Sequence, residues 1–288
     1  MSSTSPKILL RRLGLKPKKA LGQHFLLHPH QGRRLVDALG LQGGETVVEI
    51  GAGLGALTGF LAAAAGRVVA LERDPALAQF LQEELFPASP RVTVVCQDAL
   101  EFDFGALSRD AGQPLVLVGN LPYQITSPLL FKLIDARESV ARAVFMIQQE
   151  VADRLLARPG TRDYGIISVL VQYHFRLTRL FSLTPGNFYP APQVTSAVLA
   201  LNPASPAPAA RDAALLSRVV KAAFGQRRKT LNNTLVARAA TFGLTPEEVR
   251  AILAELHLDP VRRGETLSVA EFVTVSNKIA ALRGGPGV

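Results

Sequence analysis

The segment Glu45-Thr-Val-Val-Glu-Ile-Gly51-Ala-Gly53-Leu-Gly55-Ala-Leu-Thr58 decides the fold. Its β-branched and apolar residues predict a buried strand, its alternating glycines predict a tight turn, and the Ala-rich run at 60–65 predicts a helix. Glycines at such a turn let the backbone approach a ligand closely, because no Cβ stands in the way. This order of elements is typical of a nucleotide-binding α/β fold.

The spacing of the glycines distinguishes between cofactors. A dinucleotide fingerprint has the pattern G-x-G-x-x-G, with pyrophosphate at the helix N-terminus. Here the pattern is G-x-G-x-G, and Glu49 stands two residues before the first glycine. A carboxylate beside the turn repels a pyrophosphate but suits a ligand that carries a cationic sulfonium and an amino group. The segment therefore favours S-adenosylmethionine over a nicotinamide dinucleotide.

Acids also follow the next two predicted strands. Glu72 ends a strand about 20 residues after the glycines, the distance at which α/β nucleotide sites place a carboxylate on ribose hydroxyls. Asp98 follows another strand, where it is placed to accept a hydrogen bond from the adenine amine of a cofactor lying across the strand ends. Gly51 and Asn120 follow two further predicted strands. Four strand ends therefore carry groups suited to binding a cofactor, at the sheet edge where ligands bind.

The stretch Gly119-Asn-Leu-Pro-Tyr123 follows a further apolar run at 114–118. An exocyclic adenine amine is a poor nucleophile while its lone pair is delocalised into the ring. A site must therefore accept hydrogen bonds from its hydrogens and leave the lone pair facing a methyl donor. The side chain of Asn120 and the backbone carbonyl of Leu121 or Pro122 offer such acceptors, and Tyr123 offers a ring for stacking. The stretch predicts methyl transfer to the amine of an extruded base.

Five segments together resemble the ribosomal RNA adenine dimethyltransferase family in order and spacing. They are Leu21-Gly-Gln-His-Phe-Leu26, Val48-Glu-Ile-Gly-Ala-Gly-Leu-Gly55, Gly119-Asn-Leu-Pro-Tyr123, Phe188-Tyr-Pro-Ala-Pro192 and Phe224-Gly-Gln-Arg-Arg-Lys-Thr-Leu-Asn232. The resemblance covers nearly the whole chain. It is closest to the bacterial members that dimethylate two adjacent adenosines in the 3′-terminal hairpin of 16S rRNA, whose loss confers kasugamycin resistance. It implies a seven-stranded, Rossmann-like methyltransferase sheet.

The resemblance also implies roles for individual residues. The S-adenosylmethionine contacts implied by it are His24, Leu26, Gly51, Gly53, Glu72, Asp98 and Asn120. The implied base-binding residues are Asn120, Leu121, Pro122 and Tyr123, with Phe188 as a second stacking wall facing Tyr123. The alternative for Phe188 is a place in the hydrophobic core. Many similar proteins carry Asn where His24 stands, so we expect His24 to contact the cofactor through its backbone more than through its side chain.

Three other functions remain open at this stage. A 23S rRNA adenine dimethyltransferase that gives macrolide resistance shares the core motifs, but the segment at 224–232 and the basic N-terminal arm favour the 16S enzyme. A non-catalytic RNA-binding assembly or transcription factor on the same fold is disfavoured by the intact motif at 120–123. A hydride-transfer enzyme is disfavoured by the glycine spacing.

The net charge of +9 is concentrated at the two ends of the chain. Residues 1–34 contain eight Lys and Arg and no acid, residues 35–204 contain twelve against sixteen acids, and residues 205–288 contain twelve against seven. Basic flanks around an acidic centre predict an RNA partner held through its phosphates. The expected phosphate contacts are Lys16, Lys18, Lys19, Arg227, Arg228 and Lys229. For the N-terminal trio the alternative is a solvated tail.

Composition limits the remaining classes. With 288 residues, 48% hydrophobic content and no apolar run near 18 residues, the sequence predicts one α/β domain with a small appendage and no membrane span. The single cysteine, Cys96, excludes an internal disulfide and is expected in the core. His24, His28 and His30 lack the spacing of a metal site, so no metal is expected. We expect a cytoplasmic monomer.

The chain is predicted to form two domains. Strands near 46–50, 67–72, 92–96, 114–118 and 142–148 alternate with helices, and by resemblance the segments 166–183 and 195–201 complete the sheet. A Pro/Ala-rich linker at 202–210 separates a methyltransferase domain, residues 1–204, from a small helical RNA-binding domain, residues 205–288. Helices are predicted in the second domain at 213–224, 230–242, 246–256 and 269–282.

Overall fold

The computed structural model describes residues 5–226 and 228–283, which belong to two compact units. The first unit is formed by Met1–Ala152 and Arg176–Pro203, and the second by Asp153–Phe175 and Ala204–Val288. The second unit thus takes residues from two separate parts of the chain. The domain division drawn from the sequence placed residues 153–175 with the first domain.

The first unit contains a small and a large sheet. The small sheet pairs β1 (Phe25–Leu26) antiparallel with β8 (Phe188–Tyr189). The strands of the large sheet are β2 (Thr46–Ile50), β3 (Arg67–Glu72), β4 (Val92–Cys96), β5 (Leu115–Asn120), β6 (Val140–Gln148), β7 (Phe175–Leu183) and β9 (Ser196–Pro203). Their order is β4-β3-β2-β5-β6-β9-β7, so the seven-stranded methyltransferase sheet is confirmed in the described residues.

Strand direction brings the predicted site residues to one edge of this sheet. The pairs β2–β3, β3–β4, β2–β5 and β5–β6 are parallel, while β9 runs antiparallel to β6. Every residue of the central β2 is buried, which explains its β-branched composition apart from Glu49. The carboxyl ends of β2 to β5 meet at the same edge, where ligands of open α/β sheets bind.

Helices cover the sheet of the first unit. They are α1 (Pro6–Arg12), α2 (Pro29–Asp37), α3 (Thr58–Ala64), α4 (Pro75–Phe80), α5 (Phe104–Ala111) and α6 (Thr126–Asp135). Helix α7 (Gln149–Leu155) begins in the first unit and ends in the second. A π-helical turn, Leu81–Leu85, continues α4. Helix α4 begins after Asp74, whose side chain accepts a hydrogen bond from the Ala76 amide at 3.2 Å.

The second unit is helical. Its helices are α8 (Ile166–His174), α9 (Ala213–Phe224), α10 (Leu231–Thr234), α11 (Pro246–Glu255) and α12 (Val269–Arg283). Thr245 and Glu248 form a capping box at the start of α11, which confirms the helix predicted at 246–256. The predicted helix at 230–242 is interrupted, because α10 gives way to a 3₁₀ segment, Val236–Phe242, in which Arg238 leaves helical geometry. The partly buried Phe224 lies 5.9 Å, ring centre to ring centre, from Phe272, which is fully buried.

Two predictions about local structure were wrong. Residues 166–174 form α8, not a strand: Ser168 accepts a hydrogen bond from the Gly165 amide and donates one to the Arg154 carbonyl, which fixes a helical start. Most of α8 is buried, so packing outweighs the β-propensity of its Ile and Val residues. Cys96 is exposed because β4 is an edge strand of the sheet.

Candidate active site

The glycine turn after β2 takes the conformation that its composition predicts. Gly51, Gly53 and Gly55 have φ values of 75°, 56° and 78°, in the left-handed region that disfavours other residues. A Cβ on Gly53 would lie 3.2 Å from the ring of Phe25, and one on Gly55 would overlap the side chain of Leu85. The turn therefore requires glycine both for its φ angles and for close packing. Phe25, which the sequence analysis did not single out, packs directly on it.

Glu72 holds this turn from the end of β3. Its Oε2 accepts a hydrogen bond from the Gly53 amide at 2.7 Å, and its Oε1 accepts one from the Asp74 amide at 2.8 Å. The side chain is buried, and this burial raises the pKa of Glu72 although the backbone donors act in the opposite direction. Glu72, which the sequence predicts as a ribose ligand, thus fixes the conformation of the glycine turn in this structure.

Asp74 anchors the segment that leads into the site. Lys18 Nζ lies 2.7 Å from its Oδ1, and Gln23 Nε2 donates to its Oδ2 at 2.9 Å. Although burial raises the pKa of Asp74, the hydrogen bonds from Lys18 and Gln23 bring it below the usual value. Lys18 and Asp74 are 56 positions apart in the chain, so this contact had no local signal in the sequence.

Asn120 and His24 are in direct contact. Asn120 Nδ2 donates a hydrogen bond to the His24 carbonyl oxygen at 2.8 Å. The His24 ring stacks on Tyr123 with ring centres 5.7 Å apart and an interplanar angle of 29°, and His24 Nδ1 lies 2.7 Å from the carbonyl oxygen of Pro190. The structure therefore joins the segment around His24 to the motif at 120–123 through both backbone and side chain.

The carbonyl groups of Leu121 and Pro122 in that motif differ in their hydrogen bonding. The Pro122 carbonyl already accepts hydrogen bonds from the Ile125 amide at 3.1 Å and from Thr126 Oγ1 at 3.2 Å. The Leu121 amide donates to the Met146 carbonyl at 2.9 Å, which fixes this residue against β6. Of the two carbonyls considered in the sequence analysis, that of Leu121 is the better acceptor for an incoming amine.

Tyr123 and Phe188 occupy different surroundings. The Tyr123 hydroxyl lies 3.5 Å from Ser196 Oγ, and its ring is partly exposed. Phe188 is only 3% exposed and pairs with Leu26 within the hydrophobic core. The stacking neighbour of Tyr123 in this structure is His24, and Phe188 takes the core position that was its alternative.

A cavity of about 700 Å³ opens beside the glycine turn. Four of the predicted cofactor residues line it: His24, Leu26, Gly51 and Asn120. Of the other predicted contacts, Gly53 and Glu72 are joined to each other by the hydrogen bond from the Gly53 amide. Asp98 accepts from the Leu100 amide at 2.9 Å and lies 3.2 Å from Arg73.

Glu49 also lines the cavity and is almost completely buried, with 1% exposure. Thr58 Oγ1 donates a hydrogen bond to its Oε2 at 2.5 Å. Burial raises the pKa of Glu49 to about 8 despite this hydrogen bond, and Glu72 adds to the increase. Neither Glu49 nor Glu72 forms an ion pair with any described residue. Two buried carboxylates beside a glycine turn fit a cofactor that brings its own positive charge.

The basic residues expected to bind RNA divide into two groups. Lys16 and Lys19 are exposed, whereas Lys18 forms an ion pair with Asp74. Arg228 and Lys229 are exposed, and Arg227 lies outside the described residues. Residues 5–226 and 228–283 contain no cluster of three or more potential metal ligands. None of the helices in those ranges is long and apolar enough to cross a bilayer.

Comparison with known proteins places the chain in a family. A family model described as ribosomal RNA adenine dimethylase matches residues 14–280. The chain is 47% identical over 270 residues to a ribosomal RNA small subunit methyltransferase A of Aromatoleum aromaticum, covering 92% of this chain and 95% of the relative. A protein of the same name from Geobacter metallireducens is 43% identical over 277 residues, covering 96% of this chain and the whole relative.

A solved structure agrees with the fold. The crystal structure of a dimethyladenosine transferase from Plasmodium falciparum superposes with a TM-score of 0.72 at 24% identity, covering 87% of this chain and 95% of that one. The family model matches nearly the whole length of the chain, and membership of that family accounts for both the sheet and the glycine turn. The chain belongs to the ribosomal RNA adenine dimethylase family, whose members are S-adenosylmethionine-dependent methyltransferases.

Proposed function

We propose that the protein dimethylates the exocyclic N6 amine of two adjacent adenosines in the 3′-terminal hairpin of 16S rRNA, with S-adenosylmethionine as the methyl donor. The orientation of Asn120 carries the proposal. Its Nδ2 is used by the His24 carbonyl, so its Oδ1 remains to accept from an amine at the end of β5. The names of the relatives, which specify the small ribosomal subunit, support the choice of RNA.

We propose that the cofactor is held by residues of the cavity and of the neighbouring strand ends. Gly51 would lie against it and Glu49 would face its cationic methionine end. Glu72, which accepts a hydrogen bond from the Gly53 amide, would face its ribose. Asp98 and the backbone of Leu26 complete the proposed contacts. When bound, S-adenosylmethionine supplies a methyl group activated by its attachment to a sulfonium.

The protein's own part in the reaction is to position the amine. Asn120 Oδ1 and the Leu121 carbonyl accept from the two amine hydrogens, so the lone pair is directed away from both acceptors. The partly exposed ring of Tyr123 stacks on the extruded base. No strong base is required, because the methylated amine is acidic enough to lose its proton to water. Most of the rate enhancement then comes from proximity and orientation.

RNA binding is assigned to the basic residues outside this cavity. Lys16 and Lys19, together with Arg227, Arg228 and Lys229, are the proposed phosphate contacts, and Lys18 contributes through its contact with Asp74. Residues 205–288 are proposed to act as an RNA-binding domain. The proposed partner is the small-subunit precursor, which the protein meets as a monomer in the cytoplasm.

The proposal is tested by comparing RNA substrates. Purified protein and S-adenosylmethionine carrying a labelled methyl group are incubated with unmethylated small-subunit particles, isolated 16S rRNA or 23S rRNA. We expect transfer to small-subunit RNA and none to 23S rRNA. Transfer to 23S rRNA alone would overturn the proposed substrate, and no transfer despite cofactor binding would favour a non-catalytic RNA-binding role.

A further inference from the structure

Glu49 is a buried acid that takes no part in positioning the amine. It lies near the end of β2, is 1% exposed and forms part of the cavity wall together with His24 and Asn120. Its Oε2 accepts from Thr58 Oγ1. This position in the cavity wall places the acid beside any ligand that occupies the cavity.

The charged groups around Glu49 do not neutralise it. On β3 the nearest acid is Glu72, which interacts with Glu49 unfavourably, and Asp74 beyond it is paired with Lys18. The other titratable groups lining the cavity are Arg12, His24, His28 and Glu84. Arg12 is paired with Glu84 at 2.8 Å, and among the described residues Glu49 has no ion pair.

An unpaired carboxylate in such surroundings is held as the neutral acid, because ionisation without water or a cation is costly. Its raised pKa, about 8, agrees with this geometry. A cation that enters the cavity makes the ionised form of the carboxyl group the more stable one, since an adjacent opposite charge favours ionisation. The carboxyl group then loses its proton as the cation binds.

We propose that Glu49 is the charge-selective residue of the cofactor site: it is protonated in the empty protein and ionised against the cationic sulfonium of S-adenosylmethionine, its proton passing to the solvent. The inference rests on the proposed function, because it takes S-adenosylmethionine as the ligand. The demethylated product, S-adenosylhomocysteine, carries the same amino acid group but a neutral sulfur. Glu49 therefore favours the methyl donor over the product, and it takes up a proton from solvent when the product replaces the donor.

Calorimetry provides a readout that does not depend on activity. Binding of S-adenosylmethionine to the full-length protein is measured at pH 7 in buffers of different ionisation enthalpy, which gives the number of protons released. For a group with a pKa of about 8 we expect release approaching one proton per cofactor. S-adenosylhomocysteine should release distinctly fewer. Between pH 6 and 7 the affinity for S-adenosylmethionine should rise by up to roughly tenfold per pH unit.

Two variants assign the proton to Glu49. Glu49→Gln keeps an oxygen that accepts from Thr58 but cannot ionise, so proton release and the pH dependence should both disappear. Glu84→Gln is the matched control, because Glu84 lines the same cavity but is half exposed and paired with Arg12. This control should keep the wild-type proton count. If Glu49→Gln does not fold, the wild-type proton counts for the two ligands still decide the question.

The outcomes are distinct. Binding of S-adenosylmethionine without proton release would overturn this inference and leave the proposed function standing. Equal release with S-adenosylhomocysteine would overturn it too, by assigning the proton to the shared ammonium group. Absence of S-adenosylmethionine binding at every pH would contradict the proposed function itself, and the inference with it.

Discussion

Asn120 donates a hydrogen bond from Nδ2 to the carbonyl oxygen of His24, 96 residues away in the sequence. Since the amide nitrogen is used in this way, the amide oxygen is the group left to face a substrate amine. The same contact holds the segment at 24–26, which forms part of the cavity wall. We therefore propose two tasks for this one side chain: it orients the nucleophile and it holds the wall of the cofactor site.

The first prediction separates these two tasks. Asn120→Ala removes an acceptor that acts mainly in the transition state, so methyl transfer should fall by about a hundredfold or more while cofactor affinity changes by less than about tenfold. Single-turnover transfer and calorimetry measure the two effects. Asn277→Ala, in the second unit, should leave both unchanged. Wild-type turnover by Asn120→Ala would remove Asn120 from the reaction.

The second prediction concerns the cofactor turn. Glu72→Gln replaces one acceptor oxygen by a donor that faces a backbone amide, either Gly53 or Asp74. Cofactor binding should weaken by about 1.5–3 kcal/mol through lost charged hydrogen bonds. Glu45→Gln is a control, because Glu45 pairs with Arg142 away from the cavity. It should alter the melting temperature but not the cofactor affinity, and an unchanged affinity for Glu72→Gln would exclude Glu72 from the site.

The sequence predicted the sheet well because its signals are local. The buried strands read as continuous apolar runs, the left-handed turn requires glycine, and both features can be recognised within about ten residues. The motif residues at the strand ends then follow from the parallel order of the strands. His24, Gly51 and Asn120 come together at the cavity as expected.

The details that the sequence analysis missed depend on contacts between distant parts of the chain. Lys18 pairs with Asp74, and Phe25 packs on Gly53, without any marker in either segment. Phe188 lies in an aromatic motif, yet its pairing with Leu26 places it in the core. A motif identifies residue types at a site, but the register of a two-residue strand decides which side chain is exposed.

The third prediction compares two lysines of the N-terminal segment. Lys18→Met removes the cation from buried Asp74 and should lower the melting temperature, whereas Lys16→Met, at an exposed position, should not. Lys16→Met should instead reduce the slope of log K for RNA against log salt by roughly 0.7–0.9. Binding titrations over a salt series measure the slopes. The reverse pattern would assign the structural role to Lys16 and the phosphate contact to Lys18.

The fourth prediction follows from the raised pKa of Glu49, about 8 in the folded protein. A raised folded pKa means that the folded state binds the extra proton, so its stabilising contribution is complete below the unfolded pKa and is lost as pH rises towards 8. The ligand-free protein should therefore become less stable between pH 5 and 8. Denaturant unfolding of wild type and Glu49→Gln at several pH values measures this. Parallel curves for the two proteins would show that Glu49 does not titrate in this range.

The most direct test of the central claim is nucleoside mass spectrometry of small-subunit RNA after incubation with the protein and S-adenosylmethionine. We expect N6,N6-dimethyladenosine at two adjacent positions of the 3′-terminal hairpin, and about a hundredfold less, or lower still, with Asn120→Ala over the same time. Methyl groups on a ring nitrogen, a ribose or a different base would contradict it, because the geometry of Asn120 and Leu121 is suited to an exocyclic amine.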